Sequence, residues 1–199
     1  MAALALLYSY RRCPYAMRAR MALSYAGIAY QVQDISLKDK PPSLLAVSPK
    51  GTVPVLVLPD GRVLDQSLDI MHWALQQHDP AQWLGIDRDK SQALISENDG
   101  AFKQALDKYK YASRFRAQSA EAYRSQAEVF LHKLEQALQD QPFLSGENLS
   151  LTDVAIFPFI RQFAAVDANW FAQAAYPKLQ AWLQARLESS LFLGVMARA

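Results

Sequence analysis

Residues 54–64 constrain the fold of this chain more than any other stretch. Pro54-Val55-Leu56-Val57-Leu58 is a short apolar run, Pro59-Asp60-Gly61-Arg62 is a turn, and Val63-Leu64 resumes the apolar pattern. An Asp-Gly step between two such runs reads as a two-residue connection, which makes the pair an antiparallel hairpin. Upstream, residues 4–10 form the apolar and aromatic run of a buried strand. Pro14 then falls where a helix can begin, since its missing N–H costs nothing at the first helical position. Apolar side chains recur at Met17, Met21, Ala22 and Tyr25, and Gly27 offers a stop. Residues 30–35 read as a second strand, so strand, helix and strand form a parallel unit. Ser67 is placed to cap a helix through residue 75, with Asp69 in its first turn complementing the dipole. The order is βαβ, a connector, then ββα.

That mixed sheet is the topology of the thioredoxin fold. Residues 78–89 are polar, contain Pro and Gly, and read as a linker. Beyond them every pattern is helical, over residues 90–111, 120–139, 151–165 and 177–187, with Pro142 and Gly146 punctuating one gap. Ser150-Leu151-Thr152-Asp153 is a capping box with Asp in place of Glu, and Leu149 and Val154 are spaced as its hydrophobic staple. The expected architecture is α/β plus all-α: a thioredoxin-like domain over residues 1–77, a linker over 78–89 and an all-helical domain over 90–199. At 51% hydrophobic and 20% charged residues over 199 positions, the chain has material for such cores and is not a disordered one.

Charge and cysteine usage exclude several functions. A formal charge of +2 gives no large field of one sign, so no nucleic-acid partner is expected. The opening seven residues are apolar but have no basic segment ahead of them, and Arg11-Arg12 follows the run, so no secretion signal is expected. No stretch reaches the roughly 20 apolar residues that span a bilayer. A single cysteine excludes an intrachain disulfide. A cytoplasmic protein without a membrane partner is the expectation. His72, His78 and His132 have no metal-ligand spacing, so no metal is expected.

The chemistry concentrates at Arg12-Cys13-Pro14-Tyr15-Ala16, at the junction of strand and helix. Unpaired N–H groups and the dipole at a helix start favour a thiolate, and Arg11, Arg12 and Arg18 push the same way, toward a pKa below the ordinary value of about 8.5. A lone cysteine is more often a small buried hydrophobe; its place at this turn among arginines reverses that preference. Lys108-Tyr109-Lys110-Tyr111 with Arg114-Phe115-Arg116 interleaves cations and aromatics. It reads either as a helix end with snorkelling basic side chains or as a substrate contact.

Cys13-Pro14-Tyr15-Ala16 resembles the active-site motif of omega-class and related cysteine-type glutathione transferases. It is also similar to the Cys-Pro-Tyr-Cys of glutaredoxins, without the second cysteine. Leu37-Lys38-Asp39-Lys40-Pro41, Ser48-Pro49-Lys50-Gly51-Thr52-Val53-Pro54-Val55-Leu56 and Asp65-Gln66-Ser67 continue the resemblance in the family's order. It implies that glutathione is the co-substrate and that Cys13 is the catalytic group. Val53 and the cis-proline Pro54 would present backbone to the cysteinyl segment of glutathione, as an added strand does; a strand that merely starts at proline is the other reading. Ser67 would meet the γ-glutamyl carboxylate at a helix start, or simply cap the helix. Gln66 stands where the family often has Glu and keeps a hydrogen bond without the charge. Lys40 would meet the glycyl carboxylate, or remain a solvated surface lysine. Tyr15 would pack over the ligand, or be an ordinary half-buried aromatic.

The reaction expected from this set is thiol transfer by the monothiol route, because Ala16 leaves no resolving cysteine. By resemblance, dehydroascorbate reduction and deglutathionylation belong to the same chemistry, and a homodimer is the expected state. Partners are a small-molecule thiol, disulfide or electrophile. Two alternatives stand beside it. One is a conventional transferase conjugating glutathione to electrophiles with Tyr8, Ser9 or Tyr10 as hydroxyl donor. The other is a non-catalytic binding or regulatory module on the same fold.

Overall fold

The computed structural model describes residues 3–85, 87–115 and 117–197. The chain divides into two compact units, one of Met1–Ala81 with Ser189–Ala199 and one of Gln82–Glu188.

The first unit holds β1 (Ala5–Ser9), α1 (Pro14–Tyr25), β2 (Tyr30–Asp34), α2 (Pro42–Val47), β3 (Val55–Val57), β4 (Val63–Leu64), α3 (Ser67–Gln77) and α10 (Ser190–Met196). Its sheet runs β2-β1-β3-β4. Parallel β1 and β2 pair Leu7 with Val32, and antiparallel β1 and β3 pair Leu7 with Leu56. The mixed sheet of the thioredoxin-like topology is therefore present. α1 packs on α3, and α10 packs on α1. Leu7, Met17, Leu44, Leu56 and Ile70 are fully buried, each contributing about 1.5–3 kcal/mol against exposure.

Local chemistry sets the ends of these elements. Pro14 occupies the first turn of α1. The helix closes where Gly27 N–H donates to Ser24 O and Ile28 N–H to Leu23 O, a Schellman pair. The β3–β4 connection is three residues rather than two: Leu58 N–H donates to Arg62 O at 2.8 Å and spans Pro59-Asp60-Gly61. Gly61 takes φ +87, so a proline-started turn ends in a left-handed residue that matches strand twist. α2 was not expected within the connector. Six residues long, opened by Pro41 and Pro42 without a side-chain cap, it carries neither signal of a helix start beyond proline.

The second unit contains α4 (Arg88–Glu97), α5 (Lys103–Lys110), α6 (Ala120–Ala137), α7 (Leu151–Ala164), α8 (Ala168–Gln173) and α9 (Pro177–Leu187). The single helix expected over residues 90–111 is interrupted by a π-helical turn at Asn98–Phe102. α8 and α10 are short helices the periodicity did not reveal, capped by Asp167 and Ser189, which accept from Trp170 N–H and Phe192 N–H. Phe102 stacks with Phe130 at 4.9 Å between ring centroids and with Phe163 at 5.9 Å, forming the aromatic centre of the unit.

The capping box is formed. Asp153, fully buried, accepts from Ser150 N–H at 3.2 Å and Ser150 Oγ–H at 2.8 Å through Oδ2. Its Oδ1 accepts from Leu144 N–H and from the Trp182 indole, both at 2.9 Å. Burial pushes this carboxyl above the usual range, and the hydrogen bonds pull it down. Among the described residues no helix is long and apolar enough to cross a membrane.

Candidate active site

The site lies in the first unit, where α1, the loop before β3 and the start of α3 meet. Tyr10, Arg11 and Arg12 turn the chain out of β1, and Cys13 N–H donates to Tyr10 O at 2.9 Å. Cys13 is the residue capping α1, extended at φ −73 and ψ 122, with its carbonyl already accepting from Met17 N–H. The half-buried thiol donates to Val53 O at 3.7 Å. The Val53–Pro54 peptide is cis. A sulfur at a helix start thus sits against the backbone of the residue before a cis-proline.

The loop carrying Val53 is tied to Asp65 by two side chains. Ser48 Oγ–H donates to Asp65 Oδ2 at 3.3 Å, and Lys50 Nζ reaches Asp65 O at 2.8 Å and its carboxylate at 2.9 Å. Asp65 immediately precedes Gln66-Ser67, so one carboxylate couples the cis-proline loop to the start of α3. Gly51 takes φ +60 in this loop, and a Cβ there would lie 3.0 Å from Leu45 Cδ2 and 3.2 Å from Lys40 Cδ. The stem of Lys40 therefore lies over Gly51, next to the loop, and only glycine leaves it room.

Ser67 departs from expectation. It is the first helical residue of α3, and the capping position belongs to the exposed Gln66, extended at φ −116, whose side chain makes no cap bond. The Ser67 hydroxyl, nearly buried at 5% exposure, accepts from Arg18 Nε–H at 3.0 Å. Arg18, 2% exposed, also sets its guanidinium 5.1 Å above the Tyr15 ring. In the sequence Arg18 stands out only as a charge near the thiol. Its position on α1 joins Tyr15 to Ser67 instead, a link that exists only in three dimensions.

The other arginines also have specific places. Arg12 is exposed, while Arg11 donates from Nη2 to Met196 O at 2.5 Å. Arg20, 5% exposed, donates to Arg11 O at 2.8 Å and braces the turn that carries Cys13. Burial lowers the Arg20 pKa, and the Tyr30, Asp34 and Cys13 groups oppose that shift. Spacing gave no signal for Arg20, whose neighbours come from β2 and α10.

Named contacts join Cys13 to Val53, the residue before Pro54, and Tyr15 through Arg18 to Ser67; the Gln66 side chain is exposed and makes no cap bond, and Lys40 lies over Gly51. Tyr8 is buried with Ile35, Leu44, Val53 and Val55, and Ser9 is buried as well. In the second unit, Lys110 and Arg114 lie 5.0 and 4.8 Å from the centre of the Tyr111 ring, and Lys108 lies 5.9 Å from that of Tyr123. Arg116 falls outside the described residues. Among the described residues no group of three or more His, Cys, Asp or Glu side chains could hold a metal ion.

The models of two domains match the chain: the glutathione S-transferase N-terminal domain over residues 7–82 and the C-terminal domain over residues 117–185. A probable glutathione S-transferase, parA, of Nicotiana tabacum is 30% identical over 88% of this chain and 81% of its own length. Glutathione S-transferase omega-1 of Sus scrofa is 26% identical over 92% of this chain and 76% of its own. A glutathione transferase family member from Pseudomonas fluorescens, solved with two glutathione molecules bound, superposes with a TM-score of 0.81 at 19% identity. It covers 97% of this chain and 92% of that one.

Proposed function

The chain belongs to the glutathione S-transferase family, and from that premise we propose that it is a glutathione-dependent thiol transferase of the cysteine type. The observation that carries this reading is Cys13 at the start of α1 with its sulfur 3.7 Å from Val53 O, beside the cis-proline. The Cys13 thiolate attacks the glutathione sulfur of a mixed disulfide. The sulfur–sulfur bond breaks, the substrate leaves as a thiolate that takes up a proton, and Cys13 is left glutathionylated. A second glutathione, as thiolate, attacks the glutathione sulfur of that intermediate. It forms glutathione disulfide and returns the Cys13 thiolate. Dehydroascorbate reduction and removal of glutathione from conjugates draw on the same sulfur.

The chain's own groups do the positioning. The Val53 backbone pairs with the cysteinyl segment of glutathione in the manner of an added strand. The Ser67 hydroxyl accepts from Arg18, which leaves its own proton to donate to the γ-glutamyl carboxylate at the start of α3. Gln66 offers the ligand's amino end a hydrogen bond without a charge. Lys40 reaches the glycyl carboxylate from over Gly51, and Tyr15 packs on the ligand with Arg18 behind it. The omega-1 relative supports the cysteine-type subclass. Burial of Tyr8 and Ser9 inside the unit speaks against their hydroxyls activating glutathione for conjugation, which leaves the half-buried Tyr10 as the hydroxyl that reading would use. The setting proposed is the cytoplasm, where thiols stay reduced, with the protein a homodimer as the family resemblance implies.

The test is glutathione-dependent reduction of a small mixed disulfide by wild type and by Cys13→Ala. Turnover that disappears in the variant is expected. Turnover indifferent to Cys13, or none in wild type, refutes the monothiol mechanism. Conjugation kept or gained by Cys13→Ser would mark conventional transfer as the main activity.

A further inference from the structure

In the first unit, two segments that the sequence keeps apart meet at the start of α3. One is the loop of residues 48–54, which precedes β3 and lies outside the strands. The other is Asp65-Gln66, between β4 and α3. Within the loop, Ser48 N–H donates to Leu44 O at 2.8 Å and Gly51 N–H to Ser48 O at 2.9 Å. Those bonds stay inside α2 and the loop, so they fix its shape but not its distance from α3.

Three contacts at Asp65 supply that distance. The buried Ser48 hydroxyl and the Lys50 ammonium both end on Asp65 Oδ2, and Lys50 Nζ also reaches Asp65 O. One carboxylate oxygen thus gathers a hydroxyl and a cation from the loop. Two residues on, the Ser67 hydroxyl is fixed by Arg18. Lys50 and Asp65 are partly exposed, and ion pairs of that kind contribute little to global stability. What the three contacts define is the approach of the Val53 loop to the first turn of α3.

We propose that Asp65 is a positioning residue that holds the Val53 backbone and the Ser67 hydroxyl at the spacing of a γ-glutamyl-cysteinyl unit, which makes the site selective for γ-glutamyl thiols. The inference rests on the reading of this site as one for glutathione, with Val53 taking the cysteinyl segment and Ser67 the γ-glutamyl carboxylate. A ligand held at both points has one adjustable length between them, the side-chain arm of its first residue. β-Aspartyl-cysteinyl-glycine has an arm one methylene shorter than that of glutathione. It keeps the same thiol, the same glycyl carboxylate and the same charges. A site of fixed spacing rejects it, whereas a loop free to shift toward α3 accepts it. One methylene is worth about 10–200-fold in a site of fixed shape.

The experiment measures, by calorimetry on the full chain, the binding of glutathione and of β-aspartyl-cysteinyl-glycine, both kept as thiols. Wild type is expected to bind glutathione at least about tenfold more tightly. Asp65→Ala should shrink that ratio by at least about threefold, since the loop loses both contacts to the carboxylate. Lys50→Met should shrink it too. Both tripeptides share the glycyl end, so any direct effect of the lost Lys50 charge there cancels in the ratio. Asp65→Asn, which still accepts from Ser48 and Lys50, should keep more of the ratio than Asp65→Ala. The Tm of Asp65→Ala should fall by no more than about 4 °C, which separates lost selectivity from a loosened fold. Equal binding of the two tripeptides by wild type overturns the proposal, as does an Asp65→Ala variant that weakens both alike. Selectivity lost with Asp65 in a protein whose turnover is indifferent to Cys13 refutes the monothiol mechanism and leaves the role of Asp65 standing. An unchanged ratio in Asp65→Ala, with turnover that needs Cys13, does the reverse. Wild type that binds neither tripeptide overturns both.

Discussion

Replacing Asp153 by alanine strands three buried donors at once. The Ser150 hydroxyl can rotate to another acceptor, but Leu144 N–H, Ser150 N–H and the Trp182 indole N–H are fixed by backbone and ring. Each buried donor without a partner costs about 1–3 kcal/mol, so Asp153→Ala should cost about 3–6 kcal/mol after some relaxation. Total stability is typically about 5–15 kcal/mol, so one side chain carries a large part of it. With a urea m-value of about 2 kcal/mol per M, the unfolding midpoint should fall by about 1.5–3 M at neutral pH. Titration gives a second handle. Burial raises the folded-state pKa of Asp153 above its unfolded value, so the native state holds this proton more tightly. The contribution of Asp153 is then full below the unfolded value of about 3.9 and declines as pH rises above it. The gap between wild type and Asp153→Ala should narrow from pH 4 toward pH 7. On a Trp182→Phe background the alanine change should cost less, because one stranded donor is gone. A midpoint loss below about 0.5 M would mean the donors are satisfied elsewhere. A gap that widens with pH would mean the hydrogen bonds outweigh burial.

Two further outcomes test the proposed glutathione site. Arg18→Met should raise the KM for glutathione by about tenfold or more while leaving kcat little changed, since Arg18 acts through Ser67 and a charge-assisted hydrogen bond is worth about 1.5–3 kcal/mol. Arg18→Lys should recover part of that loss, and equal KM values in wild type and Arg18→Met would remove Arg18 from the binding machinery. Gly51→Ala forces a side chain into a left-handed conformation costing about 1–2 kcal/mol, with its Cβ 3.0 Å from Leu45 Cδ2. A lower Tm and a raised KM for glutathione are expected, and an unchanged Tm would show that the loop accommodates the Cβ.

The parts of the fold legible in the sequence are those whose signal is local. Pro14 at a helix start, Asp60-Gly61 in a turn and Ser150 with Asp153 in a capping box each fix backbone over a few residues, and each has its counterpart in the structure. α2, α8 and α10, each of seven residues or fewer, span too few turns for a periodic apolar face to declare itself. The π-helical turn at Asn98–Phe102 inserts into an apolar pattern that continues on either side, so the periodicity runs through it unbroken. The candidate site divides the same way. Cys13 and Val53-Pro54 stand out by residue type and neighbours. Asp65 as the anchor of Ser48 and Lys50, and Arg18 as the partner of Ser67, depend on contacts between elements. The residue type of Ser67 favours a capping role, but the extended backbone of Gln66 takes it, and the Ser67 hydroxyl accepts from Arg18.

The resting bond of Cys13 bears on how its site would open to a ligand. As a thiol, the sulfur donates to Val53 O and does not cap α1. A thiolate has no proton to donate, and a carbonyl oxygen repels it. The N–H groups of the first turn, Tyr15 and Ala16 among them, lack intrahelical acceptors and attract the same sulfur. Ionisation therefore changes two things together. In the proposed mechanism it would give Cys13 its nucleophile and release the Val53 backbone for pairing with an extended ligand. Ala16 keeps this exchange simple. It is fully buried in α1, at the place where a glutaredoxin motif carries its second sulfur. In the proposed reaction no thiol there would capture the intermediate, so a disulfide formed on Cys13 would persist until an external thiol arrived.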